Sequence, residues 1–432
     1  MRLELKTPGV ARFQDFTLDG CRLTTRSGRL GTAGEVKVEE LATPTAARAA
    51  YETRMSALLT KGYQLAPGQL PIIPRGNVDP HLEELVEQNP DDPAPYLVLA
   101  DALNENGDPR GELITVQHAQ AEHPADAKLR ARERKLLLAF NLPDLAHVKL
   151  RWRWGFIQQA SFRHENPVDL HFDPTGLARD VFQMPMAAVI EKVSVGMMRW
   201  DNLAFDLPSM LREAAKHGWA KRLRALQLGH FNGAEMLPHP IGDVSMIARA
   251  FPALQALGLR SGEFTVGPLD LPALKDLQIE TCCLSKERLR AVTHAQLPSL
   301  ERLELWFGSS SAGCDVGVEH LARILDGGSF RSVKHLGLRN AELTDALCEA
   351  MPDAGILPQL EVLDLSMGMM TDRGARALTK RAGAFAHLAS LNVDDNCLTE
   401  AGKAMLLTLG CPIEWGRQKD PKAGYPAVTA AD

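Results

Sequence analysis

The stretch L-A-S-L-N-V-D-D-N-C-L, residues 388–398, places apolar residues at its first, fourth and sixth positions and an asparagine before its last two residues. The first part of this pattern recurs through the second half of the chain. The clear copies are LRALQL (223–228), LQALGL (254–259), LKDLQI (274–279), LERLEL (300–305), VKHLGL (333–338), LEVLDL (360–365) and LASLNV (388–393). Weaker copies precede them at 157–162 and 190–195. The last two apolar residues of each copy stand two positions apart, so they point to one face of a short strand.

One strand of this kind buries too little surface to be stable alone, whereas strands stacked in parallel share a continuous core. Between the copies, EHLARILDGG (319–328) and TDRGARALTKRAG (371–383) place apolar residues three or four apart, which predicts helices. Thr371 and Thr399 open two such segments as predicted N-caps. The sequence therefore predicts an α/β fold of parallel strands connected by helices.

This repeat resembles the leucine-rich repeat family, in its longer variant with helices on the convex side. The full family pattern is met at 388–398, with Asn396 in the asparagine position, and at 274–284, with Cys282 there. Four of the other five clear repeats carry small residues at this position: Gly262, Gly308, Ala341 and Gly368. The resemblance implies a solenoid over residues 150–412, followed by a C-terminal cap and tail at 413–432. It also implies that Asn396 bonds backbone groups at the turn after its strand.

The middle of the chain divides into a Pro- and Gly-rich linker at 67–80 and a helical segment at 81–149. Residues 89–114, NPDDPAPYLVLADALNENGDPRGELI, resemble the short bacterial repeat-companion domain. The matching residues are Asp101, Gly107, Asp108, Pro109, Arg110, Gly111 and Glu112. A calcium loop from Asp101 to Glu112 is disfavoured because Leu103 and Asn106 stand where an oxygen ligand and a glycine are needed. We expect Asp108 and Arg110 to serve in a helix cap and turn.

The stretch R-W-R-W-G-F at 151–156 allows two interpretations. Its alternating cations and indoles fit a stacking surface for nucleic acid. They equally fit a cap over the exposed first repeat, with tryptophan packed inward and arginine outward. The cap is the favoured interpretation.

Residues 1–66 predict short strands at 13–18, 21–25 and 35–41. A helix is predicted to begin near Thr43, with Pro44 in its first turn, and to end at Lys61-Gly62-Tyr63. With T-T-R-S-G-R-L-G-T-A-G at 24–34, this segment resembles the WGR domain family. The matching residues are Gly28, Arg29, Gly31, Thr32, Gly34, Lys61, Gly62 and Tyr63. The family resemblance implies a small sheet packed on one helix, a domain that contacts DNA in some eukaryotic poly(ADP-ribose) polymerases. A literal Trp-Gly-Arg at 415–417 follows the last repeat and is a chance match.

This segment departs from the family where DNA contact needs an aromatic ring. Ser27 replaces the motif tryptophan, and Gln14 stands where related domains often carry another aromatic residue. Arg22, Arg26 and Arg29 are the candidate nucleic-acid contacts, and we expect them to line one face. For Arg29, support of a turn is the favoured role. Since stacking on a base contributes about 1–3 kcal/mol, the missing rings disfavour DNA.

Composition narrows the class of protein. The 432 residues are 45% hydrophobic and 24% charged, with a formal net charge of -6, which excludes a generally basic nucleic-acid coat. Apolar runs are too short to span a bilayer, and the seven cysteines lack Cys-x-x-Cys spacing. We expect a bacterial cytoplasmic protein with no membrane segment, disulfide framework or metal site. Nucleophile, zinc, dinucleotide and P-loop motifs are absent from the sequence, so neither catalysis nor a cofactor is predicted.

Solenoids bind their partners through the non-leucine strand positions that line the concave face. The predicted partner-binding residues are Arg260, Gln278, Glu304, Trp306, Phe307, Arg339, Asp364 and Asp394. Trp306 and Phe307 beside Glu304 have the composition of a protein-binding hot spot. The alternative is that one of these rings folds under the loop GSSSAG at 308–313. The sequence thus predicts a non-catalytic scaffold for a protein or peptide partner, with a DNA- or poly(ADP-ribose)-responsive sensor as the alternative. The oligomeric state stays open.

Overall fold

A computed structural model describes residues 2–7, 10–19, 21–65, 78–140, 147–163, 174–196, 206–230 and 240–420. Most of the predicted linker and the end of the predicted tail lie outside these residues. The chain divides into two compact units, Met1–Glu191 with Ser209–Trp219, and Lys192–Pro208 with Ala220–Asp432. Within the described residues, no helix is both long and apolar enough to cross a membrane.

The first unit opens with an antiparallel sheet packed on one helix. Its elements are β1 (Arg2–Thr7), β2 (Val10–Asp19), β3 (Arg22–Arg29), β4 (Glu35–Glu40), α1 (Pro44–Thr60) and β5 (Gln64–Leu65), with strand order β4-β3-β2-β1-β5. Leu3, Phe16, Leu23 and Met55 form its buried core. The first two predicted strands, 13–18 and 21–25, correspond to β2 and β3, and β2 pairs along the whole of β3, which fixes the register of the motif residues.

Four helices follow: α2 (Pro80–Gln88), α3 (Pro93–Glu105), α4 (Pro109–Glu122) and α5 (Ala127–Ala139). The first three begin at an Asp-Pro dipeptide, in which the aspartate accepts a hydrogen bond from the backbone N–H two residues on. Proline suits the first helical position because the N–H it lacks would have no partner there. The capping aspartates are Asp79, Asp92 and Asp108.

The companion-domain signature is explained by packing around Arg110. This side chain is buried, its Nε donates to Asp108 (3.0 Å) and its Nη1 donates to Glu83 (3.0 Å). A Cβ on Gly111 would lie 2.6 Å from the carbonyl oxygen of Ala100, so the α3–α4 contact requires glycine there. The predicted cap at Asp108 is confirmed, since its side chain accepts from the Arg110 N–H. The signature residues thus hold α2, α3 and α4 together.

A hairpin of β6 (Val148–Arg153) and β7 (Phe156–Phe162) follows, with α6 (Pro174–Phe182) after it. At the hairpin turn, Trp154 packs edge-on against Tyr96, and the guanidinium of Arg153 lies 4.7 Å from the centroid of the Trp154 ring. The Gly155 N–H donates to Gln117 (2.7 Å). The Trp154 ring of the R-W-R-W-G-F stretch is therefore used in packing on the helices of the same unit.

The second unit is built on parallel strands. These are β8 (Lys192–Gly196), β9 (Ala225–His230), β11 (Ala256–Arg260), β13 (Asp276–Glu280), β14 (Arg302–Gly308), β15 (His335–Ala341), β16 (Val362–Asp364), β17 (Ser390–Asn392) and β18 (Ile413–Glu414). Each pairs in parallel with the next in this order. A separate parallel pair is formed by β10 (Gly242–Asp243) and β12 (Phe264–Thr265). The fold is thus mixed α/β with a large, mostly parallel sheet.

Most of α7 (Leu207–Ala214), which lies between β8 and β9 in the chain, belongs to the first unit. The later strands are connected by α8 (Ile247–Ala250), α9 (Lys286–Thr293), α10 (Ala322–Leu325), α11 (Thr344–Ala350), α12 (Asp372–Thr379) and α13 (Glu400–Leu406). The repeated leucines pair in register across the sheet. From β9 to β17 they are Leu226, Leu257, Leu277, Leu303, Leu336, Leu363 and Leu391, all at most 2% exposed. Because full burial of a leucine contributes about 1.5–3 kcal/mol, this row is a main source of cohesion in the unit.

Polar ladders tie successive helical segments together. The carboxylate of Asp345 accepts from the N–H and hydroxyl of Thr371 (2.8 and 2.6 Å), and Asp372 accepts from the same groups of Thr399 (3.0 and 2.6 Å). Both threonines also cap their own helices, which confirms the predicted N-caps. One aspartate per segment therefore fixes where the next helix begins.

Candidate binding face of the parallel sheet

One face of the sheet in the second unit carries polar side chains at alternate strand positions, and we term it the polar face. Its first row is Ala225, Ala256, Asp276, Arg302, His335, Val362 and Ser390. The second row is Gln227, Gly258, Gln278, Glu304, Gly337, Asp364, Asn392 and Glu414. The third row contains Arg260, Glu280, Trp306, Arg339, Ser366 and Asp394. The leucines between these rows point to the opposite face, because side chains alternate along a strand.

Trp306 is enclosed by the side chains of neighbouring strands. The guanidinium carbons of Arg260 and Arg339 lie 5.8 and 5.0 Å from the ring centroid, within the range of cation–π attraction. The indole N–H donates to Glu304 (2.9 Å), and only 8% of the residue remains exposed. The ring therefore acts as the support on which two arginines are ordered, rather than as an exposed aromatic contact.

Glu304 anchors this cluster from beneath. Its Oε1 accepts from Trp306 and from Nη1 of Arg339 (2.7 Å), and its Oε2 accepts from Arg302. Burial, which leaves the residue 2% exposed, would raise the pKa of this carboxyl, but the donors from Trp306, Arg339 and Arg302 outweigh burial and lower the pKa. Glu304 is consequently a carboxylate at neutral pH, fixed by three side-chain donors.

Two glycines make room for side chains that lie flat over the sheet. A Cβ on Gly337 would come 3.0 Å from Cγ of Glu304, and a Cβ on Gly258 would overlap the amide group of Gln227. A larger residue at Gly337 would push Glu304 away from Arg302 and Arg339. Glycine at these two positions therefore allows Glu304 and Gln227 to adopt the conformations seen on the polar face.

The third row continues with charged groups on both sides of Trp306. Glu280 lies 3.3 Å from Nη1 of Arg260, yet burial raises the pKa of Glu280 above its usual value. On the other side, Nε of Arg339 donates to the Ser366 hydroxyl (2.9 Å) and lies 3.5 Å from Asp364. The positive and negative groups around the ring thus compensate one another.

The C-terminal end of the polar face is acidic. Asp364 accepts from the Ser366 N–H (2.9 Å) and from the Asn392 amide (3.1 Å). Asp394 is half-buried and accepts from the N–H of its neighbour, and Glu414 is exposed and accepts from the Ser390 hydroxyl. The polar face therefore carries Asp364 and Glu414 on β16 and β18, and Asp394 directly after β17.

The sequence-predicted partner residues separate into three groups. Glu304, Trp306, Arg260 and Arg339 form the enclosed cluster, whereas Asp364 and Asp394 belong to the acidic end. Gln278 donates to Asp276 (3.1 Å) in the row below. Phe307 was wrongly assigned to the face: it is 0% exposed, because it follows Trp306 directly on the strand and so points into the leucine core. The predicted aromatic pair is thus split between the two faces.

Sequence reasoning missed Arg302 and Asp276, which lie 3.7 Å apart in the first row. Both occupy the variable position directly before the middle leucine of a repeat. This position lies two residues before the second row and four before the third row, so its side chain points to the same face of the strand. Strand alternation alone could therefore have assigned them to the polar face.

The candidate nucleic-acid residues in the first unit do not share one face. Arg29 lies an odd number of positions after Arg22 and Arg26, so strand alternation turns it to the opposite side of β3. Arg26 donates to Asp15 (3.1 Å), and Arg22 lies 3.8 Å from Glu40. The expectation that the three arginines line one face is therefore wrong, and the two that share a face, Arg22 and Arg26, lie beside carboxylates.

The glycine motif serves the packing of Phe13. A Cβ on Gly28 would lie 3.1 Å from this ring, and one on Gly34 would lie 2.7 Å from it. The guanidinium of Arg2 stacks on the same ring at 4.3 Å from the centroid. Ser27 pairs directly with Gln14 across β2 and β3, so the two positions that lack aromatic residues stand opposite each other. The motif is explained here by a buried phenylalanine.

No protein-family model matches the chain, and no curated protein matches it either. A similar solved structure is the crystal structure of a Bacteroides fragilis protein, determined as a structural-genomics target. The two chains are 18% identical with a TM-score of 0.50, and the match covers 100% of this chain and 99% of the other. At this identity the likeness concerns the fold alone.

Proposed function

We propose that this chain is a non-catalytic interaction protein of the bacterial cytoplasm, built on a leucine-rich-repeat solenoid that binds a basic segment of a protein partner on its polar face. The parallel register of the repeated leucines and the bonds of Asn396 support the repeat assignment. In this proposal the WGR-like and repeat-companion segments are accessory modules.

The observation that carries the proposal is the acidic end of the polar face next to a preordered charged cluster. Asp394 is half-buried and Glu414 is exposed on this face, whereas Asp364 is buried and lies 3.5 Å from Arg339, so Asp394 and Glu414 are the carboxylates that a partner can reach. Such a single-sign surface attracts a partner of opposite charge and accelerates its association. A basic peptide that lies across the strands would meet these carboxylates in succession.

The enclosed cluster supports binding by lowering its entropic cost. Immobilising a flexible side chain at an interface costs about 0.5–1.5 kcal/mol. Arg339 is already held by Glu304, Ser366 and the Trp306 ring, so little of this cost remains to be met when a partner arrives. We propose that Trp306 contributes through the arginines that it orders.

The test is a quantitative pull-down from an extract of the native host. Asp394→Lys with Glu414→Lys should abolish recovery of the partner that the unmodified chain retains, with an unchanged melting temperature. Glu400→Lys is the matched control, because Glu400 is exposed at the start of α13 and faces only Lys403 (2.8 Å). The control should retain the partner, and recovery should fall with rising salt. Equal recovery by the double variant and the control would refute the site.

A further inference from the structure

Three of the seven cysteines gather at the ends of β13 and β14. The sulfurs of Cys282 and Cys283 lie 4.0 Å apart, and the backbone of Cys283 forms an isolated antiparallel β-bridge with Gly308 at the end of β14. Cys314 is brought to the same place by the loop after β14, where the Ser309 N–H donates to Cys282 and the Cys314 N–H donates to Ser309. The thiols thus lie outside the polar face.

Cys283 differs from its neighbours in its surroundings. Nη1 of Arg288 lies 3.6 Å from the Cys283 sulfur and also donates to the backbone carbonyl oxygens of Cys283 (2.8 Å) and Gly262 (3.3 Å). The Cys282 thiol donates to the same sulfur, and the Thr281 hydroxyl lies 3.8 Å from it. In its thiol form Cys283 donates to the Gly262 carbonyl, and after deprotonation that carbonyl keeps the hydrogen bond from Arg288. Arg288, Cys282 and Thr281 therefore favour the thiolate of Cys283, whereas the Gly262 carbonyl oxygen, 2.7 Å from the sulfur, favours the thiol.

Accessibility separates Cys283 from the buried thiols. Cys282, Cys348 and Cys397 are buried, whereas Cys21, Cys283, Cys314 and Cys411 are half-exposed. Burial raises the pKa of Cys314 and Cys411, which keeps them protonated at neutral pH. At Cys283 the hydrogen bond from Cys282 outweighs burial, and together with Arg288 and Thr281 it lowers the pKa to about 5. An accessible thiolate beside a guanidinium is the environment typical of reactive cysteines.

We propose that Cys283 is a thiol-modification site that exchanges with low-molecular-weight disulfides. The Cys283 thiolate attacks one sulfur of the disulfide, the S–S bond breaks, and a mixed disulfide forms on Cys283. The second sulfur leaves as a thiolate and takes a proton from solvent. A small-molecule thiol reverses the step by the same attack on the mixed disulfide.

The neighbouring thiol does not supply an easy intramolecular resolution. Consecutive Cα atoms are about 3.8 Å apart, whereas disulfides usually need about 4.4–6.8 Å. A bond between Cys282 and Cys283 would accordingly be strained, and Cys282 is buried with its thiol directed at Cys283. The role of Cys282 in the proposal is that of a positioning residue, which donates a hydrogen bond to the reactive sulfur. The proposal does not depend on the binding function of the polar face.

The probe is 5,5′-dithiobis(2-nitrobenzoic acid), an aromatic disulfide whose released thiolate absorbs at 412 nm. With the full folded chain we expect one fast thiol, with mass spectrometry locating the adduct on Cys283. The fast phase should be lost in Cys283→Ser and retained in Cys314→Ser and Cys21→Ser. Its rate should change less than about twofold between pH 6.5 and 8.5, whereas a thiol with the usual pKa of about 8.5 would accelerate about 50-fold. A fast phase that survives in Cys283→Ser, or a 50-fold pH response, overturns the proposal.

A second pair of variants tests the environment rather than the thiol itself. Cys282→Ala removes the donor, so the pH at which the fast phase reaches half its maximum should move upward. Cys282→Ser restores a donor and should bring the midpoint back toward that of the unmodified chain. Equal pH profiles for the alanine variant and the unmodified chain would show that the surroundings described here do not activate Cys283. Circular dichroism melting curves of both variants exclude a loss of fold.

Discussion

Replacing Asn396 by alanine tests the turn that follows the last complete repeat. Its Oδ1 accepts from the Met370 N–H (2.8 Å), and its Nδ2 donates to the carbonyl oxygens of Leu365 (2.9 Å), Val393 (3.1 Å) and Asp394 (3.2 Å). The residue is fully buried, so no bulk water replaces these partners directly. Asn396→Ala therefore removes one acceptor and two donors from the interior.

The magnitude follows from what each partner retains. The Val393 carbonyl still accepts from Gln418, and the Asp394 carbonyl still accepts from the Met367 N–H. Met370 and Leu365 lose the bond that Asn396 supplied. A buried polar group left unsatisfied costs about 1–3 kcal/mol, so the two together should reduce the free energy of unfolding of the second unit by about 2–6 kcal/mol.

Urea unfolding followed by circular dichroism should show this loss, and hydrogen exchange should localise it to the amides of Leu391 and Val393. Asn392→Ala is the matched control, because Asn392 is half-buried on the polar face and its amide group bonds Asp364 alone among side chains. We expect the control to cost less than about 1 kcal/mol. Equal costs for the two variants would refute the assignment of Asn396 as the buried link between repeats.

Three further predictions concern other parts of the chain. A Cβ on Gly402 would overlap Asp372, so Gly402→Ala should cost about 1–3 kcal/mol in thermal melts, whereas Gly383→Ala, with open space at its Cβ, should be neutral. The hydrogen bond from Arg54 lowers the pKa of Glu39 to about 2. The unmodified chain should therefore melt at a higher temperature than Glu39→Gln above pH about 4.3, and this difference should vanish as the pH falls toward 2. Glu35→Gln is the control. Fluorescent duplex DNA should bind with a dissociation constant no lower than that of non-specific binding, about 10⁻⁴–10⁻⁶ M. Tighter binding with a steep salt dependence that is lost on replacing Arg22, Arg26 and Arg29 would contradict this prediction.

The parallel strands could be predicted from the sequence because one apolar spacing recurs and each of its seven clear copies lies on a strand of the second unit. The leucines of this spacing are buried, as their parity requires. The same parity rule could have corrected two errors: it separates Phe307 from Trp306, and Arg29 from Arg22 and Arg26. These errors arose because neighbours in sequence were treated as neighbours on a surface.

The burial of Trp306 could not be predicted in the same way. A tryptophan at a variable strand position would be exposed if the strands beside it carried small residues. Here the covering groups come from Arg260 and Arg339, and the acceptor for its N–H comes from Glu304. Their convergence depends on the register between strands, which the spacing of repeats along the chain does not fix because the connecting segments vary in length.

The irregular asparagine position shows how different residues can perform one physical task. At Asn396 an amide side chain links one turn to the preceding repeat. At Ala341 the side chain is too short, and Thr344 takes over: its hydroxyl donates to the Ala341 carbonyl (2.6 Å) and accepts from the Met369 N–H (3.3 Å). A Cβ on Gly368 would overlap that hydroxyl, so the glycine in the next repeat is required by the substitute in this one. Departures from the repeat pattern at neighbouring turns are therefore coupled. A substitution at Thr344 should disturb the turn at Gly368 more than it disturbs the strands.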